Sequence, residues 1–553
     1  MTTEVRAERS DHVFPTLVPE HVARLAAYGE RRHITTGEIL LDPGATALHC
    51  WVVVRGTIEI LRETRDSETL IHRHGPGQFT GEANLLAGRR SLVRVRVVED
   101  GEVIAIERAQ LLRLLQTDAE IGDIVMRAFI LRRAELIGRG YGDAVLLGSA
   151  HCAGTLRVKE FLTRNGHPFQ SIDLDNDAGV QELLDTFGIK PGDIPVLICR
   201  CEIVLRNPTN EAIADCLGFN EAVDLDQMRD LVIIGAGPSG LAAAVYAASE
   251  GLDALVIETT APGGQAGSSS RIENYLGFPN GISGQELAAR AWNQAQKFGA
   301  GIVVAKNVTR LLCDRRPYSV EVDGGQRIGA RAIILASGAR YRKPALPRLT
   351  EFEGAGVYYG ATFMEGQLCK NEEVAVVGGG NSAGQAAVFL STIAKHVHVF
   401  VRGIGLADSM SRYLIRRIEG NERITLRTET ELIALDGKQH LESLSWRHSP
   451  TGETTQAPIR HLFVMTGADP STDWLEGCVL TDERGFIRTG SDLTHDDLDG
   501  AGWPLARAPH TLETSLPGIF AVGDVRSGSM KRVASAVGEG AAAVALVHKT
   551  LRE

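Results

Sequence analysis

Cysteine is scarce in this sequence, and its placement excludes a cross-linked scaffold. Eight cysteines stand at positions 50, 152, 199, 201, 216, 313, 369 and 478 of 553 residues. That density is too low for a disulfide framework and points to a reducing, cytoplasmic setting. No two of them are separated by the two residues of a CxxC. Cys199 and Cys201 alternate along one expected strand, but no second Cys or His pair stands at ligand spacing, so no metal site is expected. Long apolar runs are also missing. Nothing approaches 18 residues, which excludes a membrane-spanning helix and a membrane partner. The start, MTTEVRAERSDHVF, is charged and has no apolar core, unlike a secretory signal. Excess positive charge is absent too: 58 basic against 69 acidic side chains give −11. That argues against nonspecific binding to polyanions. No helix-turn-helix with a basic recognition face is visible, so nucleic acid is not an expected partner.

Glycine, by contrast, is abundant, at 60 residues, as expected where loops pass close to phosphates. The length suits three or four domains. Residues 34–107 alternate with the period of short half-buried strands, and 107–138 switch to helical periodicity. GRGYGDAV at 138–145 breaks the pattern. Residues 144–225 read as β-α-β, a further helix at VQELLDTFG, and a hairpin of PVLIC and EIVLRN. EAVDLDQMRD, 221–230, reads as a linker. Two strand–turn–helix–strand units follow, LVIIGAGPSGLAAAVYAASEGLDALVIE from 231 and VAVVGGGNSAGQAAVFLSTIAKHVHVFVR at 374–402.

The first unit supplies Gly235, Gly237 and Gly240 around Pro238 and Ser239. The glycines permit a sharp turn, close approach of a pyrophosphate, and tight helix–strand packing, and the helix N-terminus favours negative phosphate. Glu258, eighteen residues past Gly240, is placed to accept from a ribose hydroxyl. The second unit offers Gly378, Gly380, Asn381, Ser382 and Ala383. Its next strand ends in Arg402 rather than an acid. An arginine there pairs with the 2′-phosphate of NADPH. Arg412, Arg416 and Arg417 follow, open to the same role or to a solvated helix face.

These loops, with APGGQAG at 261–267, IENYLGFP at 272–279, ILASGA at 334–339 and GIFAVGDV at 518–525, resemble the low-molecular-weight bacterial thioredoxin reductases. The resemblance covers about 231–553. It implies an FAD domain split into 231–342 and 462–553, with an NAD(P)H domain inserted at 343–461. It further implies FAD contacts from Gly264, Gln265, Asn274, Gly338, Gly523, Asp524, Arg532, Val533 and Ala534. A homodimer and hydride passage from NADPH to FAD and then to an acceptor are also implied. Family members carry a CxxC just before the second nucleotide loop, and the matching positions here are Gly360 and Phe363 of GATF. Cys369 lies past the motif and reads as a buried small hydrophobe. The acceptor is therefore open. It is a disulfide reached through another domain, a thioredoxin-like protein or small molecule, or a quinone, oxygen or ferredoxin. A low-turnover sensor is the reading from another class.

Residues 144–225 resemble the thioredoxin/glutaredoxin fold. HCAGT places Cys152 on the first active-site cysteine and Thr155 on the second, and Pro195 on the usual cis-proline. A thiol before a helix gains from the N-terminal amides. Cys152 is thus either a nucleophile that forms mixed disulfides or part of a retired docking module. Residues 16–138 resemble cyclic-nucleotide-binding domains. FTGEANLLAGRRSLVRVRV, 79–97, looks like the phosphate cassette, with Gly81 for close approach, Glu82 for a ribose and Arg90 for a cyclic phosphate. Ser91 and Leu92 depart from the small residues usual there, and Arg89, Arg94 and Arg96 make the segment unusually basic. A cyclic nucleotide is one partner implied, and a packing and dimerisation module the alternative. The expected fold class is a multidomain chain: an N-terminal β-roll with helices, an α/β thioredoxin-like domain, then an α/β flavoprotein with two dinucleotide-binding domains.

Overall fold

The computed structural model describes residues 12–553 except 47–48, 65–66, 82–84, 87, 139–143, 150–151, 175–192, 200–202, 221–222, 270, 273, 362, 408 and 476. Glu82, Cys201 and the expected helix at VQELLDTFG lie outside the described residues.

The alternating N-terminal segment forms an antiparallel sheet. Arg94–Glu107 lies between His49–Thr64 and Glu30–Ile34, and Ser67–His74 pairs with the outer edge of His49–Thr64. Helices α1 (Arg108–Thr117) and α2 (Ala119–Gly138) follow. Leu111, Leu114 and Leu115 of α1 and Ile121, Val125 and Phe129 of α2 all turn into the roll's core, the stripe expected of helices packed on a sheet.

The next unit is a four-stranded sheet in the order Phe169–Asp173, Ala144–Gly148, Val196–Cys199, Ile203–Arg206. The first pair is parallel and the others antiparallel. Helix α3 (Ala153–Arg164) crosses from strand to strand. Cys199, the last described residue of its strand, is fully buried. Val158, Phe161 and Leu162 of α3 belong to the same apolar cluster as Leu231, Ala243 and Trp292 of the following unit. The two units therefore bury a continuous core.

A seven-stranded sheet comes next. Gly301–Val303, Ala254–Ile257, Arg229–Ile234 and Arg327–Leu335 run parallel, and Tyr318–Val322 and Val308–Leu312 continue as an antiparallel meander. The first of these central strands begins at Arg229, two residues inside the expected linker. Helix α4 (Pro238–Ser249) packs between this sheet and the long C-terminal helix. Ile519–Ala521, from the far side of an insertion, returns to pair with Arg327–Leu335. The insertion is a parallel five-stranded sheet, ordered Val357–Tyr358, His461–Val464, Glu373–Val377, His396–Phe400, Ile424–Arg427. Its sheet runs on to Val464. A two-stranded ribbon, Ala339–Tyr341 with Ala468–Pro470, joins the two halves. Cys313 and Cys478, expected to be reduced, form a disulfide that ties the two segments of the seven-stranded unit across 165 residues.

Candidate active site

A cleft of about 1940 Å³ runs between the seven-stranded unit, the inserted unit and α3. The first nucleotide loop forms one end. Gly235 has φ +103°, and a Cβ on it would lie 2.4 Å from the Ala336 carbonyl oxygen. A Cβ on Gly240 would lie 1.9 Å from the carbonyl oxygen of Gly235. Only glycine lets this helix start against the strand. Glu258 ends its strand in the cleft. One carboxylate oxygen accepts from the Ala236 amide at 2.7 Å, and the other accepts from the Thr260 amide at 2.9 Å. Both bonds hold the carboxylate over the loop.

Gly237, Pro238, Ser239, Gly264, Gln265, Asn274, Gly338, Asp524, Arg532 and Val533 also line the cleft, as expected from their motifs. A Cβ on Gly264 would come 3.0 Å from Gly237 Cα, so the two loops meet through glycine alone. The Gln265 side chain donates to the Ala339 carbonyl. Burial pushes the Asp524 carboxyl above the usual carboxylate range, against the opposing pull of Lys531. Three expected contacts stand back from the cleft. Gly240 packs beneath the turn. Gly523 donates its amide to Glu539 at 2.6 Å. Ala534 is exposed outside the cleft, and Ala536, two residues along the same helix, lines it instead.

At the other end, Gly378, Gly380, Asn381, Ser382 and Arg402 line the cleft. Gly378 sits at φ +142°, and a Cβ there would lie 2.2 Å from the Met465 carbonyl oxygen. Ala383 is fully buried in helix α5 (Asn381–Leu390) and supports the loop from behind. The Arg402 side chain is exposed at the strand end. Arg412, Arg416 and Arg417 lie on helix α6 (Arg412–Glu419), exposed and off the cleft. They form a solvated face.

Gly360 lines the cleft between the two loops, where a Cβ would touch Ser268 at 3.4 Å. That position carries no thiol. Cys369 is fully buried, and burial pushes its thiol up to about 12. Helix α3 supplies what the family motifs did not foresee. Ala153, Leu156, Arg157, Glu160 and Arg164 all line the same cleft. Arg164 donates to the Gly264 carbonyl at 3.0 Å and reaches that of Ala261 at 3.4 Å. At the opposite end of α3, Ala153 packs against Gly354 of the inserted unit. Cys152 caps α3 with an extended backbone and is half-buried. Thr155 is buried against Gly148, and Gly154 packs on Pro195, which follows a cis peptide bond. A polar helix face reads in sequence as a solvated one, so nothing local marked these side chains.

The basic reading of the N-terminal cassette needs correction, because its arginines are neutralised or turned away. Arg94 pairs with Asp42 and Glu68, and Arg96 with Glu59 and Glu68. Buried Arg89 donates to the Asn165 carbonyl at 3.0 Å and stacks on Phe219 and Trp292, 4.2 and 4.8 Å from their centroids. Arg90 is half-buried and does not line the roll's own cavity. Gly81, at φ +109°, does line it.

The family model for pyridine nucleotide-disulphide oxidoreductases matches residues 229–540. The chain belongs to that family. A second model, for the cyclic nucleotide-binding domain, matches residues 31–118. Thioredoxin reductase of Mycolicibacterium smegmatis is 32% identical over 326 residues, 59% of this chain and 97% of its own length. That of Bacillus subtilis is 33% identical over 332 residues, 59% and 96% of the two lengths. The crystal structure of Lactococcus lactis thioredoxin reductase shares 30% identity and a TM-score of 0.52, covering 58% of this chain and 99% of that one. This pyridine nucleotide-disulphide oxidoreductase is thus an FAD-dependent NAD(P)H oxidoreductase with an atypical cysteine arrangement. The two glycine cradles and the carboxylate of Glu258 fit a dinucleotide, and Arg402 fits the extra phosphate of NADPH. Among the described residues no helix is long and apolar enough to cross a membrane.

Proposed function

We propose that this oxidoreductase reduces a disulfide carried on Cys152, using a thiol of its own middle unit where the usual dithiol of the inserted domain is missing. The observation that carries this reading is the position of α3. The helix that Cys152 caps lines the same cleft as both nucleotide loops. Bound FAD supplies two-electron exchange between a nicotinamide and a disulfide. The overall reaction is NADPH + H⁺ + Cys152–S–S–R → NADP⁺ + Cys152–SH + R–SH, where R–SH is a small thiol or a thioredoxin-like protein. Without a second cysteine in HCAGT, the mixed disulfide is the oxidised form available to Cys152. Arg164 and Asn165 hold α3 to the segment after Glu258 through the Gly264 and Thr260 carbonyls, which fixes the cap relative to the cleft.

In this reading residues 144–225 are a thioredoxin-like domain, supported by the strand order and by Pro195 packed at the cap. Residues 16–138 are a regulatory module, 231–342 with 462–553 the FAD domain, and 343–461 the NADPH domain. A homodimer is proposed on the resemblance alone, and a cytoplasmic setting on the sparse cysteines. The test is steady-state NADPH oxidation with a small mixed disulfide as acceptor, wild type against Cys152→Ser. Loss of at least tenfold in turnover, with quinone reduction unchanged, supports the relay. Equal turnover with the disulfide in both proteins overturns it and leaves a direct non-thiol acceptor.

A further inference from the structure

A second cavity, of about 90 Å³, lies inside the N-terminal roll. Half of its lining is aliphatic, Leu41, Ile60, Leu92, Val95 and Leu136 among it, and His74 is one of several polar side chains there. His74 is 1% exposed, lines the cavity, and its buried Nδ1 has no hydrogen-bond partner. A buried nitrogen without a partner is destabilising, and a ligand that bonds to it would recover that cost. Burial and the neighbouring Arg132 hold His74 well below its usual pKa, so it faces the cavity as a neutral imidazole.

Size and charge argue against a cyclic nucleotide. Pockets for drug-sized ligands run from roughly 300 Å³ upward. A cavity of about 150 Å³ lined by aliphatic and aromatic side chains binds benzene and stays dry. The volume here therefore suits a body of roughly four to six non-hydrogen atoms. Neither Arg89 nor Arg90 lines it. Among the described residues one guanidinium, Arg132, and one carboxylate, Glu135, do, and their charges offset each other.

The cassette that supplies Ser91, Leu92 and Val93 to this wall also carries Arg89 out of the roll. Arg89 donates to the Asn165 carbonyl, the Asn165 amide donates to Thr260 at 3.2 Å, and the Thr260 amide donates to Glu258. Three hydrogen bonds thus join the cavity's own segment to the carboxylate of the first nucleotide loop. We propose that the cavity binds a compact, uncharged, largely apolar molecule with one hydrogen-bonding group for His74, and that Arg89 transmits its occupancy to the nucleotide cleft. The binding stands on the roll alone, and the transmission rests on the flavin reading above.

The experiment uses the full-length, FAD-loaded chain, with isobutanol as probe and cyclic AMP as the nucleotide arm. Ligand-observed saturation-transfer NMR without NADPH reads binding. Isobutanol is expected to give a signal that falls at least fivefold in Val93→Phe and in Leu92→Phe, which fill the cavity. Far-UV circular dichroism and flavin content check that both variants fold. Cyclic AMP is expected to give none. Cyclic AMP binding that either variant removes, or an isobutanol signal equal in wild type and both variants, overturns the site. Stopped-flow flavin reduction by NADPH reads transmission. Saturating isobutanol is expected to change the wild-type rate about fivefold, at the low end of typical couplings, and to leave Arg89→Gln unchanged. Equal responses in both proteins overturn the role of Arg89. A wild type that binds isobutanol but shows no NADPH reaction faults the flavin reading and leaves the cavity standing.

Discussion

The two nucleotide loops share a backbone plan and differ in what closes them. In the first, the carboxylate of Glu258 is held by two backbone amides, and α4 is buried along most of its length between sheet and C-terminal helix. In the second, the strand ends in the exposed side chain of Arg402, and Asn381 and Ser382 at the start of α5 are exposed. The same turn built into a packed core holds a resident nucleotide. Built at an open edge with a cation, it suits a visiting one with an extra phosphate. The difference lies in burial and charge, not in the glycines.

Substitutions at the turns separate the two most sharply. Gly240→Val drives a side chain into the Gly235 carbonyl, and the chain is expected to purify without flavin, read as loss of visible absorbance. Gly378→Val, with the Met465 carbonyl in the way, is expected to keep its flavin and lose saturation by NADPH. Identical behaviour of the two variants would break the comparison. The next effect is on stability. Cys313–Cys478 closes a loop of 165 residues in the flavin half, and loop-closure entropy sets its contribution on the order of 5 kcal/mol. Cys313→Ser is expected to lower the Tm of the flavin half and leave the inserted domain's hydrogen exchange unchanged.

Arg402→Ala removes a charge-assisted contact worth about 1.5–3 kcal/mol. NADPH KM is expected to rise roughly tenfold to a hundredfold, with NADH KM unchanged. A parallel rise for both nucleotides would place Arg402 outside phosphate recognition. The smallest effect separates the thiols. Burial pushes Cys50 and Cys369 up to about 12, so at pH 8 about one in ten thousand of each is thiolate. Their alkylation is expected to be slow and to rise tenfold per pH unit. Half-buried Cys152 is expected to react first, as peptide mass spectrometry would show.

What was legible in the sequence was local. Glycine spacing, the acid after the first loop and the arginine after the second depend on residues within one strand–turn–helix unit, where the chain's own geometry decides the outcome. The flavin-end residues came from motifs, and of these Gly523 and Ala534 do not line the cleft, because a motif names positions and not directions. Gly523 spends its amide on Glu539. The long-range features were not legible. Arg164 closes on Gly264 a hundred residues away, and Arg89 leaves its cassette for Phe219 and Trp292. Cys313 finds Cys478 only because the insertion returns the chain to the same sheet.

The most direct measurement is a single anaerobic turnover of the chain with Cys152 pre-converted to a mixed disulfide with a small thiol. One equivalent of thiol is expected to be released per NADPH oxidised, with Cys152 newly open to alkylation. Flavin bleached by NADPH with the mixed disulfide intact would contradict the relay.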